Sequence, residues 1–169
     1  LLFEALESIL SENSNSIFLV IGENTDRKNS KLEPYYDRLP PEQVVSLGVR
    51  VDIPEVIKCI DLLCLSSAWG EGFPNVIGEA MATGVPCVAT DVGDSALIVG
   101  KTGWVVPPKD SIKLAKAIEK ALYEKSTIKW NKRCNKARLR VKENYNISKM
   151  VRLYNNAWSK VYKKNDKNI

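Results

Sequence analysis

The sequence predicts an α/β fold in which a doubly wound parallel sheet carries helices on both faces. Three observations predict it. Short, continuous apolar runs recur, several of them closed by glycine or proline. Segments of helical periodicity lie between those runs, and the links between them are short. Strands that alternate with helices in this way pair in parallel, with crossover helices over the sheet. The size agrees: 169 residues, 44% hydrophobic and 27% charged, suit one domain with a real core.

Each element has its own reason. Leu2, Leu6, Ile9 and Leu10 repeat at helical spacing, and Ser11-Glu12-Asn13 ends the run. Ile17 to Ile21 is a short apolar strand closed by Gly22, of the kind buried on both faces of a parallel sheet. Residues 31–39 read as helix, stopped by Pro40-Pro41. Gln43 to Leu47 reads as a strand ending at Gly48, and Pro54 opens a short helix to Ile60. Leu62 to Leu65 is a buried strand, followed by a loop from Ser66 to Phe73 with Gly70 and Gly72. A helix over Asn75–Thr83 stops at Gly84. Pro86 to Ala89 and Gly103 to Val106 are strands, the second closed by Pro107-Pro108. Asp110 or Ser111 caps a helix to about Glu124. Ligands of such sheets bind beyond the carboxyl ends of the strands, which singles out the loops after Ile21, Leu47, Leu65 and Ala89.

Charge divides the chain. Residues 1–125 hold 12 Lys and Arg against 18 Asp and Glu, whereas residues 126–169 hold 13 against 2. The first segment is read as the α/β domain and the second as terminal basic helices packing on it. Trp130, Cys134, Ala137, Val141 and Tyr145 form one apolar helical stripe, and Ile147, Val151, Tyr154, Trp158 and Val161 form another. The bend falls at Asn144 to Ser148. The tail after Lys163 is polar and is expected to fray.

Composition excludes several chemistries. There is no histidine, so His-based acid–base catalysis, Ser-His-Asp triads and His-ligated metals are ruled out. Cys59, Cys64, Cys87 and Cys134 form no C-x-x-C pair and read as reduced packing residues of a cytosolic protein. No apolar run reaches the roughly 18 residues of a membrane span. The chain opens at Leu1-Leu2-Phe3, within a helical pattern and without Met, so further chain is expected before it.

The informative stretch is Gly70-Glu71-Gly72-Phe73-Pro74-Asn75-Val76-Ile77-Gly78-Glu79-Ala80-Met81-Ala82, which joins a strand to a helix N-terminus. Free first-turn amides and the helix dipole make an anion site there, sized for a diphosphate. Gly72 admits a ligand close to the backbone. Pro74 at the first helical position forfeits a donor the helix does not use, leaving Gly72, Phe73, Asn75 and Val76 as donors. Glu71 lies in the loop on the ligand side. Glu79 lies one turn into the helix and leans back toward the N-terminus. Either acid alone would read as a solvated charge, and Glu79 as one favoured by the dipole at about 0.3–1 kcal/mol. Their combination with the strand, glycine loop and helix points to a ligand that carries hydroxyls and phosphate.

Glu71 and Glu79, separated by seven residues, resemble the E-x7-E motif of retaining GT-B glycosyltransferases of family four. The likeness extends to Cys59–Ser67 before the motif, to Glu79–Gly93 after it, and to the block Lys101–Asp110. It covers residues 17–125 in detail and the remainder in helix pattern. The resemblance implies a Rossmann-like domain, the C-terminal half of a GT-B fold, which binds a UDP- or GDP-sugar. It implies that Glu79 holds the ribose hydroxyls and that Glu71 is the catalytic-site acid touching the donor sugar. It places the backbone of Gly72, Phe73, Pro74, Asn75 and Val76 beside the sugar and diphosphate, and Val49, Arg50 and Val51 near the base. No metal and no cofactor is implied. The acceptor, a glycan or lipid-linked chain in cell-surface polysaccharide synthesis, would be bound by an N-terminal domain absent from this chain, and an Arg/Lys clamp on the diphosphate would precede Leu1. The 169 residues alone are expected to be inactive. Two positions depart from the family pattern. Gly93-Asp94-Ser95 stands where relatives carry a glycine pair and a downstream glutamate, and Ile21-Gly22-Glu23-Asn24 replaces a G-x-G turn.

Other residues carry two readings each. Asp94 is a donor contact or a cap of the Ser95–Val99 turn. Trp69 lines the sugar pocket or packs the loop. Trp104 reads as core, and Trp130 and Trp158 as packing. The basic helices show no aromatic interleaving and no nucleic-acid-binding signature, so nucleic acid is set aside. They read as a solvated face or as a contact with an anionic membrane, which would make the protein cytoplasmic and peripheral on the inner membrane face. The remaining alternative is an inactive nucleotide- or membrane-binding module of GT-B type.

Overall fold

The computed structural model describes residues 1–12 and 15–165. The elements are α1 (Leu2–Glu12), β1 (Phe18–Ile21), α2 (Glu33–Tyr36), β2 (Val44–Gly48), α3 (Ile53–Cys59), β3 (Leu63–Leu65), α4 (Asn75–Thr83), β4 (Cys87–Thr90), α5 (Ser95–Val99), β5 (Trp104–Val106), α6 (Ser111–Lys125), α7 (Lys129–Asn144) and α8 (Ile147–Asn165). All strand pairs are parallel, as the alternation of strands and helices requires.

The expected single sheet is corrected. β1 pairs with β2, and β3, β4 and β5 pair in that order, as two separate sheets. Among the described residues no strand bridges β1 and β3. The two sheets are joined by side chains instead. Val20 and Val44 share a core with Val88, Val106, α1 (Leu6, Ile9) and α6 (Leu114, Ile118). The other face of the larger sheet, with Cys87 and Ala89, packs on Ile57, Ile77, Ala80, Met81, Ile98 and Ala137. Every residue of β4 is buried, which explains the apolar run from Pro86 to Ala89. β1 does not match that expectation. Leu19 and its register partner Val45 are each 37% exposed, so one face of the small sheet is open.

Local chemistry explains most boundaries. Gly84 takes φ +90° at the end of α4, a conformation costly for residues with a Cβ. The Asp110 carboxylate accepts from the Lys113 amide at 2.8 Å and caps α6. The helix expected over 31–39 contracts to the four residues of α2, flanked by turns. Asn29 accounts for part of this, since its side chain accepts from the Lys31 amide and its carbonyl from Leu32 and Glu33. Such local bonds compete with a longer helix.

α7 packs on α4 and α6, as its stripe requires. Its Arg133 forks onto Glu124 at 2.6 and 2.7 Å and lies 4.1 Å over the Trp104 ring, so Trp104 is half-buried at the edge of the core. α8 departs from expectation. Ile147, Val151, Tyr154, Trp158 and Val161 are all exposed, and the Trp158 ring lies 5.8 Å from that of Tyr154 on the same helix. The packing read for Trp158 is therefore corrected. The stripe is present, but no element among the described residues lies opposite it.

Candidate functional site

The loop from Ser66 to Pro74 leaves the carboxyl end of β3 and enters α4. Its base is fixed by Thr90 at the end of β4, whose hydroxyl donates to the Ser67 carbonyl at 2.6 Å. The Ser67 hydroxyl in turn donates to Oε1 of Glu71 at 2.6 Å. A charge-assisted bond of that length holds one carboxylate oxygen and leaves the other lone pairs available. Glu71 is half-buried.

The β4–α5 loop supports the same segment from beside it. The Asp94 amide donates to the Gly72 carbonyl at 2.8 Å. Gly93 takes φ +56°, and a Cβ there would lie 2.4 Å from the carbonyl oxygens of Glu71 and Gly72. A glycine is thus required for two loops to meet. Asp94 stands at the N-cap position of α5 but makes no side-chain cap bond, so the capping role is not the one observed.

Pro74 is the N-cap of α4, with φ −70° and ψ 98°, one position earlier than its expected place inside the first turn. Asn75 and Val76 are therefore the first helical residues, whose amides have no partner within the helix. Buried Pro74, Ile77, Ala80 and Met81 anchor the helix start. Asn75 and Glu79, four residues apart, share its exposed side. Of the sequence-identified residues, Glu71, Gly72, Phe73, Pro74, Asn75 and Val76 thus lie in the loop into α4 and at its N-terminus, and Glu79 stands one turn further along the helix. Trp69 is 76% exposed beside them, with the Lys109 ammonium 5.7 Å from its ring.

Arg50 and Val51 stand on the loop after β2. The Arg50 guanidinium forks onto Asp52, with Nε 2.8 Å from Oδ1. That bond raises the Arg50 pKa and lowers that of Asp52. Val51 is 98% exposed. Two thiols are desolvated: burial pushes Cys64 up to about 12 and Cys87 higher still. Among the described residues no three Cys, Asp or Glu side chains form a metal-binding group, and no helix is long and apolar enough to cross a membrane.

Sequence reasoning passed over Ser67 and Thr90. Neither has a signal in one dimension, because their bonds depend on how the loop folds back over β4.

Three comparisons bear on this site. The chain matches the family model described as "Glycosyl transferases group 1" over residues 1–124. It is 28% identical over 152 residues to the UDP-Gal:alpha-D-GlcNAc-diphosphoundecaprenol alpha-1,3-galactosyltransferase of Escherichia coli, covering 88% of this chain and 38% of that protein. Its fold superposes on the structure of Anabaena HepE in complex with UDP and glucose with TM-score 0.79 and 25% identity, covering 94% of this chain and 44% of that one. It also superposes on the C-terminal domain of a glycosyl transferase group 1 family protein (LpcC) of Francisella tularensis, with TM-score 0.72 and 24% identity, covering 86% of this chain and 77% of that one. The chain thus spans less than half the length of the first two relatives.

Proposed function

The chain belongs to the group 1 glycosyl transferases, and we propose that it is the donor-binding half of a retaining enzyme that transfers a sugar from a nucleotide-sugar to a glycan or lipid-linked acceptor. The observation that carries the reading is the run beyond β3 of Glu71, held by Ser67, then the free first-turn amides of α4, then Glu79 one turn on along the same exposed side as Asn75. The amides of Asn75 and Val76 and the α4 dipole take the diphosphate and stabilise the charge that develops on the leaving group. Glu79, on the same side of α4 as Asn75, accepts from the two ribose hydroxyls. Glu71, oriented by Ser67, accepts from hydroxyls of the donor sugar. Arg50 and Val51 lie on the loop assigned to the base. The HepE complex with UDP favours a uridine donor over GDP. No resident metal or cofactor enters this reading.

The acceptor belongs to chain outside these residues. The galactosyltransferase relative is named for an undecaprenol-linked acceptor, which supports a lipid-linked substrate. Calorimetry with UDP, GDP and ADP, on wild type and Glu79→Ala, tests the donor reading. We expect UDP to bind and Glu79→Ala to weaken it at least tenfold with unchanged thermal stability, since Glu79 is exposed. Absence of binding by all three nucleotides would overturn it. The 169 residues alone should bind nucleotide and transfer no sugar, and turnover by them would contradict the division of labour.

A further inference from the structure

The last turn of α7 reaches across to the donor loop. Arg140 Nε donates to the Ile98 carbonyl at 2.8 Å and Nη2 to the Leu97 carbonyl at 2.6 Å, closing the carboxyl end of α5. The Tyr145 hydroxyl donates to the same Leu97 carbonyl at 2.8 Å. Its ring stands against Phe73, with centroids 5.6 Å apart and planes at 62°. At the other end of α5, the Asp94 amide holds Gly72. The two residues that lead into α4 are thereby held from opposite ends of one short helix: Gly72 through its N-terminal loop, Phe73 through the side chain that closes its C-terminus.

We propose that Tyr145 is a positioning residue for nucleotide-sugar binding, fixing the Gly72–Phe73 segment so that the Asn75 and Val76 amides face the diphosphate. The inference rests on the donor reading above. Phe73 is 45% exposed, and the edge-to-face contact with Tyr145 restrains its ring from the side. The hydroxyl bond ties the ring to the end of α5, where Arg140 donates to the same Leu97 carbonyl. A leucine could fill the space at position 145 but could neither reach the Leu97 carbonyl nor offer a ring edge. Tyr145 itself touches no reacting atom. It acts through Phe73.

The test combines UDP titration with amide resonances of the isotopically labelled chain, for wild type, Tyr145→Leu, Tyr145→Phe, Phe73→Leu and Glu79→Ala. Tyr145→Leu should weaken UDP roughly threefold to tenfold, the scale of one aromatic pair, and should shift or broaden the Gly70 and Gly72 amides without moving that of Gly48. Tyr145→Phe keeps the ring and should recover most of the affinity and of the Gly72 signal. If Tyr145→Leu fails to fold, Phe73→Leu probes the same contact from the loop. Wild-type UDP affinity and an unmoved Gly72 amide in a folded Tyr145→Leu or Phe73→Leu, beside loss of binding in Glu79→Ala, would overturn this proposal alone. Failure of the wild type to bind UDP would overturn the donor reading and this proposal with it.

Discussion

The Ser67 hydroxyl lies 2.6 Å from Oε1 of Glu71 and donates to it, across one turn of the loop that follows β3. Glu71 is therefore aimed before any ligand arrives. Pre-orientation of this sort avoids ordering cost at the moment of binding.

Ser67→Ala should separate nucleotide from sugar recognition. Glu79 and the α4 amides are untouched by it, so UDP affinity should stay within about threefold. Affinity for the matching UDP-sugar should fall about tenfold, the scale of one hydrogen bond to a charged group. Parallel calorimetry with the two ligands distinguishes this from a general weakening.

Gly93→Ala should be far more damaging than Gly48→Ala, although both glycines take positive φ near +60°. At Gly48 nothing lies within 4 Å of a new Cβ, so only the left-handed backbone cost of about 1–2 kcal/mol applies. At Gly93 the Cβ meets two carbonyl oxygens at 2.4 Å, and forced separation of the loops brings the loss to about 2–4 kcal/mol. Denaturant melts of the two variants measure the difference, and equal losses would contradict the packing of the β4–α5 loop on Gly72.

Stability should fall in acid through Glu124. Hydrogen bonding from Arg133 lowers its pKa below the ordinary 4.5. Its contribution is therefore fully present above that ordinary value and is lost as pH falls through the lower, folded value. Arg133→Ala should cost about 1–3 kcal/mol at neutral pH and flatten the pH dependence below pH 4.5. Melts of both proteins between pH 3 and 7 check the sign.

The four thiols should fall into classes toward a thiol reagent such as Ellman's. Cys59 is exposed and should react first. Cys64 and Cys87, whose thiols burial holds protonated, should react only on unfolding. Half-buried Cys134, also pushed up by burial, should be intermediate.

Much of this architecture was legible before folding because it is local. Gly84 stops α4, Asp110 caps α6, and the run of β4 states its burial, whereas β3, expected to be buried, is only half-buried along its length. Glu71 and Glu79 stand out through fixed spacing along one strand–loop–helix unit. What escaped is non-local. Sheet pairing is decided between distant segments, so periodicity could not show that β1 and β3 are not hydrogen-bonded to each other. The apolar stripe of α8 declares a face and says nothing about what lies opposite it, which is why Trp158 read as packing. The Ser67–Glu71 bond and the Tyr145–Phe73 contact exist only once loops have closed.

α8 has a thermodynamic consequence of its own. Its apolar stripe from Ile147 to Val161 meets no other element among the described residues, so the helix rests mainly on its own backbone bonds and side-chain spacing. Helices of this length held by nothing else stand near the balance between helix and coil in water. α8 is thus a conditional element: any surface that accepts the stripe from Ile147 to Val161 draws that balance toward helix. Part of the binding free energy is then absorbed in ordering the segment, and its far-ultraviolet dichroism becomes a direct gauge of occupancy.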